Sequence, residues 1–263
     1  MAEIDRYLEA ATARNTRASY ESAIRHFEEQ WQGLLPASPQ SIARYLAHYA
    51  SELSPATLQL RLSALSRWHR DRGFPDPTQS SHVRALLKGI RTLHPHQPRQ
   101  ARALQIEDLT RLDAVLNAGI ANAMARGDRP TALRCLRDRA LLLLGFWRGF
   151  RGDELITLRV EHIQIEPDSG MRLFLPHSKT DTQATGTQFN VPALTRLCPV
   201  AAMKAWLDYA HLRDGPVFRS ITRWGSIGAR ALDRKSLVPM LRSALELAGI
   251  ADAFVLHDRD IVV

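Results

Sequence analysis

Residues 145–163 read GFWRGFRGDELITLRVEHI and follow directly on the apolar run Ala140-Leu-Leu-Leu-Leu144. A buried segment breaks at Arg148, Arg151, Asp153 and Glu154 and turns apolar again at Leu155. Arg151 falls after one helix and near the start of the next. A helix N-terminus offers free backbone N–H groups and a positive dipole end, so anions bind there readily. An arginine at such a place can fork two hydrogen bonds to a phosphate. Glu154, three residues on, can orient that guanidinium or cap the helix. The local pattern leaves two readings open, a phosphate-holding pair or a structural salt bridge.

The rest of the 263-residue chain bounds the choice. Its 45% hydrophobic and 24% charged residues suit a globular protein with a substantial core, in one large domain or two ordinary ones. No apolar stretch approaches the roughly 20 residues that span a bilayer. The start, MAEIDRYLEA, lacks the basic beginning and apolar centre of a signal peptide. Cys135 and Cys198 are too few for a disulfide framework or a cysteine-rich zinc site. A cytoplasmic protein without membrane partners is expected.

A formal charge of +8 and a pI near 10.1 favour a polyanionic partner, usually nucleic acid, with a merely basic soluble protein as the alternative. Four of the 35 basic residues are lysines, Lys88, Lys179, Lys204 and Lys235, so 31 are arginines. Against that bias, each lysine raises the question of whether arginine would serve.

The first ninety or so residues read as four helices. Asn15-Thr16 can cap the first, whose apolar positions are Tyr20, Ile24, Phe27 and Trp31. Ser38-Pro39 and Ser54-Pro55 each offer an N-cap followed by proline at the first helical position. The fourth helix carries Val83, Leu86, Leu87 and Ile90, with Arg84, Lys88 and Arg91 as a basic stripe at i, i+4 and i+7. No acidic residue interleaves with them. Such a stripe is a solvated face or a phosphate-backbone contact. We place this helical domain at 1–92.

Residues 93–103 are rich in proline and arginine without periodicity, a basic linker of a kind that suits a protein wrapping a duplex. His94 and His96 lack a third ligand nearby, so no metal site is expected. In residues 104–263 the pattern predicts helices at IEDLTRLDAVL, at roughly 131–146, and at GDELITL. The strand-like pieces HIQIE, RLFLP and TQFNV should form a small antiparallel sheet. Helices return at 199–209 and 233–248.

Lys179 lies in HSKTD, between two of those strands, where a turn can project a side chain far from a sheet. Lysine can give up its proton and arginine cannot, so a general acid for a phosphodiester leaving group calls for lysine. A surface loop lysine is the competing reading.

In this order and spacing, the segments resemble the tyrosine recombinase (phage integrase) family over nearly the full chain. NTRASYESAIRHF, LSPATLQLRLSALSRWHRDRGFPDP and VRALLKGIR resemble its helical, SAM-like core-binding domain. RDRALLLLGFWRGFRGDELITLRVEHI resembles the first catalytic box, LFLPHSKTDTQATG the lysine hairpin, and RWGSIGARALDRKSLVPMLRSALELAGI the approach to the second box. The fold implied is mainly α with a small antiparallel β-sheet, a core-binding domain followed by a partial catalytic domain. The resemblance implies that Arg151 holds the scissile phosphate, that Glu154 supports it, and that Lys179 protonates the departing 5′ oxygen. In the family a tyrosine attacks to form a 3′-phosphotyrosyl bond, and no metal, ATP or other cofactor takes part.

After the last helix the family pattern is His-x-x-Arg, then His or Trp, then the tyrosine. His257 stands where the box histidine is expected. The third residue after it is Asp260, Arg259 comes one place early, and no tyrosine follows Tyr209. The expectation is a recombinase shortened by frameshift, premature stop or natural specialisation, and catalytically incomplete. It would act on DNA as a homo-oligomer or beside an intact recombinase. The alternative is a non-enzymatic DNA-binding protein that occupies recombination sites; a helical scaffold unrelated to DNA is a third possibility.

Overall fold

The computed structural model describes residues 14–96, 103–166, 169–176 and 185–250. The chain divides into two compact units, 1–98 and 99–263.

The first unit is helical: α1 (Arg14–Arg25), α2 (Pro39–His48), α3 (Pro55–Asp71) and α4 (Ser81–Leu93). Asn15 and Thr16 lie inside α1 rather than capping it, which corrects the expected boundary. The chain continues from α1 as a looser helical turn to Gln30, which carries fully buried Phe27. The two serine-proline devices act as expected. Ser38 Oγ accepts from Ser41 N at 3.2 Å and Ser54 Oγ from Thr57 N at 3.1 Å, with Pro39 and Pro55 opening α2 and α3. Ile42, Tyr45, Leu46, Leu58, Leu65 and Val83 fill the core around Phe27.

Asp76 ties the turn that precedes α4 to α3. Its carboxylate accepts from Ser66 Oγ at 2.6 Å and from the amide and hydroxyl of Thr78 at 3.0 and 2.7 Å. Burial raises the Asp76 carboxyl, yet these hydrogen bonds, with one from Gln79, hold it below its ordinary range. His69 is fully buried as a structural residue, with Nε2 accepting from Ala37 N at 2.9 Å and Nδ1 at 2.7 Å from Leu65 O.

The second unit is built on α5 (Ile106–Ala125), α6 (Arg129–Arg148) and α8 (Pro199–Tyr209), with short α7 (Gly152–Thr157) and α9 (Leu237–Leu247) beside them. α5 runs a full 20 residues, well past the short helix expected from IEDLTRLDAVL. The apolar face continues through Leu116, Ile120 and Ala123, across Gly119.

α6 packs against α5 on one side and α8 on another. This explains its all-apolar segment: Ala140 to Leu144 are each at most 2% exposed. Each such leucine contributes about 1.5–3 kcal/mol of burial. Asp128 caps the start of α6 through Thr131 N at 3.1 Å. At the other end Gly149 adopts φ 61° and ψ 33°, donating its N–H to Gly145 O at 2.8 Å. That left-handed stop is the usual role of glycine after a helix.

Strands β1 (Ile163–Glu166), β2 (Gly170–Leu175) and β3 (Thr187–Pro192) form the antiparallel sheet, in that order. Met171, Leu173, Leu175 and Val191 turn one face into the core. A second hairpin pairs β4 (Arg219–Ile221) with β5 (Ile227–Ala231). Sequence patterning missed it because β5 shows no alternation: Ile227 and Gly228 are half-buried and the next three residues are all exposed, leaving no apolar face. No helix among the described residues is long and apolar enough to cross a membrane.

Candidate functional site

The break between α6 and α7 is a corner held from three sides. Phe150, 2% exposed, packs its ring edge against Phe189 of β3, centroids 5.0 Å apart. Trp147 Nε1 donates to Leu197 O at 2.9 Å. Leu155 and Leu158, both fully buried, anchor α7 and the turn after it in the core. Arg151 therefore projects from a fixed backbone.

Glu154 is 8% exposed and accepts from the Arg151 amide at 2.8 Å through Oε2. This is the N3-carboxylate half of a capping box, and an arginine side chain cannot supply the other half, having no acceptor. The second oxygen, Oε1, lies 3.3 Å from Arg151 Nη1, longer than the roughly 2.7–2.9 Å of a strong charge-assisted bond. The Arg151 side chain stays 43% exposed. Glu154 thus fixes the residue through its backbone and holds the guanidinium lightly, leaving most of its five N–H donors for an anion.

Two further arginines meet this corner. Arg234, in the turn before α9, pairs with Asp153 at 2.8 Å across 81 residues of sequence. Arg148, in the last turn of α6, places its guanidinium 5.0 Å from the Phe189 ring centroid. Neither stood out in the sequence. Arg234 is one of many arginines and its partner is remote. Arg148 is adjacent to the box, yet only the fold reveals the aromatic ring beneath it. Lys179 and His257 lie outside the described residues. Leu175, at the end of β2, pairs with Thr187, the first residue of β3.

A second cluster lies in the first unit. Arg84, Lys88 and Arg91 are exposed along α4 and have no carboxylate partner among the described residues, while Val83, Leu87 and Ile90 face the core. Arg91 donates to Gln59 Oε1 of α3 at 2.8 Å. Arg84 and Arg91 line a cleft of about 380 Å³ with Gln59, Ser63, Ser66 and Gln79. Gln59 is a polar partner of the stripe that sequence inspection passed over, being one residue among an ordinary helical pattern. No group of three or more His, Cys, Asp or Glu side chains among the described residues could hold a metal ion.

Comparison with known proteins agrees with this architecture. Residues 4–72 match the phage integrase N-terminal SAM-like domain. The chain is 32% identical over 254 residues to an integrase/recombinase xerD homolog of Selenomonas ruminantium, covering 93% of this chain and 71% of that protein. It is 24% identical over 183 residues to the recombinase cre of Escherichia phage P1, covering 69% of this chain and 50% of that protein. In fold it is similar to a crystallised lambda integrase dimer bound to a COC′ core site, with a TM-score of 0.53 at 16% identity, over 96% of this chain and 81% of that one. The chain belongs to the tyrosine recombinase family of site-specific recombinases.

Proposed function

We propose that this chain engages duplex DNA through the α4 stripe and holds a backbone phosphate at Arg151, as the phosphate-binding part of a site-specific strand-exchange machinery. The single observation that carries the proposal is the stripe itself. Three exposed cations, Arg84, Lys88 and Arg91, share one helix face with no carboxylate partner among the described residues, just beyond residues 4–72, which match the integrase SAM-like domain. Cations that neutralise phosphates release counterions, which makes binding steeply salt-dependent.

In the chemistry, a tyrosine hydroxyl of an intact recombinase on the same DNA attacks the phosphorus and the 5′ oxygen leaves, while Arg151 stabilises charge that builds on the non-bridging oxygens. Glu154 is a positioning residue, acting through Arg151. Lys179 serves as general acid toward the 5′ oxygen and His257 supports the phosphate; both roles rest on the family resemblance. Further copies of the chain, or an intact recombinase, would share the DNA. The alternative, a protein that only occupies recombination sites, uses the same stripe but needs neither Arg151 nor Lys179 for its effect.

The test is duplex affinity measured across a salt series. Replacing Arg84, Lys88 and Arg91 by glutamine should lower the slope of log K against log[salt] by about 3, roughly one per lost phosphate contact. An unchanged slope would remove the stripe from the interface. Strand exchange by an intact recombinase sharing the site with this chain, lost on Arg151→Gln while the salt slope falls by no more than about 1, would favour the recombinase reading over site occupation.

A further inference from the structure

We propose that Arg148 is a second phosphate-holding residue at the Arg151 corner, a role resting on the DNA-binding reading above. Its Nε is buried and without a hydrogen-bond partner. Its recorded contact is the Phe189 ring, 5.0 Å from the guanidinium carbon to the centroid. Neighbouring charges at the corner are offset, Arg151 by Glu154 and Arg234 by Asp153. Arg148 has no carboxylate partner among the described residues.

A half-buried guanidinium with an idle N–H is destabilising unless something accepts from it. The negative end of α6 and the ring face each compensate its charge in part. Neither satisfies the N–H donors. An anion at the guanidinium's outer edge would complete the compensation of its charge.

Phe189 shows where that anion would sit. The same ring carries Arg148 on its face and packs edge-to-face against Phe150, the residue immediately before Arg151. Phe189 also lies two residues beyond Thr187, the first residue of β3. Arg148 is therefore mounted on a ring that also braces the Arg151 box. A guanidinium stacked on a ring keeps its N–H edges in plane, the geometry that forks to phosphate oxygens. The ligand class is a phosphodiester of the DNA backbone at this corner.

The experiment uses the full chain and a fluorescein-labelled duplex of arbitrary sequence, titrated at several salt concentrations. Arg148→Met keeps an apolar stem over Phe189 and removes the charge. We expect its unfolding midpoint to stay near wild type and its salt slope to fall by about 1. Arg148→Lys should restore the slope, because charge is what releases counterions. A wild-type slope in Arg148→Met overturns the proposal, as does a reduced slope in folded Arg148→Lys. Should Arg148→Met fail to fold, Arg148→Lys decides by the same criterion. Arg84→Gln with Lys88→Gln, measured alongside, separates the two failures. If that pair lowers the slope and Arg148→Met does not, the Arg148 assignment alone is wrong. If wild type shows no salt-dependent binding, the DNA reading falls and this assignment with it.

Discussion

Glu154 binds Arg151 twice and unequally, at 2.8 Å to its backbone amide and at 3.3 Å to its guanidinium. The short bond is local and structural, since it satisfies an orphan N–H at the start of α7. The long one leaves the arginine's charge available. One carboxylate thus sets the position of the residue without spending its donors.

Glu154→Ala should destabilise the chain by about 1–2 kcal/mol, the range for losing a helix-start acceptor or leaving a buried donor unmade. Glu154→Gln retains an acceptor for the Arg151 amide and should lose less. Urea unfolding of both variants against wild type checks the order. Equal losses would mean that the carboxylate charge, rather than the backbone bond, does the holding.

Leu143→Ala should cost about 2–5 kcal/mol, because the side chain is 1% exposed inside a helix packed on two others and the site cannot collapse easily. The same substitution at Leu247, 69% exposed on α9, should fall within about 0.5 kcal/mol. Denaturant midpoints at constant slope would test the contrast.

Asp76→Ala should destabilise the first unit by about 1–3 kcal/mol, by stranding the hydroxyls of Ser66 and Thr78, both 8% exposed. Because the turn leading into α4 is tied to α3 through this carboxylate, the variant should also bind duplex more weakly than its folded fraction alone explains. Binding that tracks the folded fraction would count against that coupling.

Acidification should weaken the first unit through His26. Burial, then the charge of Arg61, hold the His26 imidazole below its ordinary value, and Arg61 and Tyr45 contact its Nδ1. With the folded pKa depressed, the unfolded chain takes up the proton first. This contribution is intact above about pH 6.5 and is lost as pH falls from there through the folded value. Unfolding free energies at pH 7.5 and 5.5 should differ more in wild type than in His26→Gln. Equal differences would show that His26 is not responsible.

Much of the architecture was legible in the chain because it is locally encoded. Ser38-Pro39 and Ser54-Pro55 start helices through bonds that span three residues, and the basic stripe of α4 follows from a 3.6-residue period. The alternation of β2 and the run Ala140–Leu144 announce burial directly. The pair Arg151–Glu154 was visible for the same reason, its partners being three residues apart. What the sequence left open was which arginines share that corner. Arg234 reaches Asp153 across 81 residues, and Arg148 lies over a ring 41 positions away in β3. Local spacing carries no information on such contacts, since they arise only when the packing of α6, α7 and the sheet fixes separate segments side by side. The β4–β5 hairpin was hidden likewise, because its pairing is specified by the partner strand and not by an apolar face of its own. Local bonding wrote the elements into the sequence; long-range packing alone decided what surrounds Arg151.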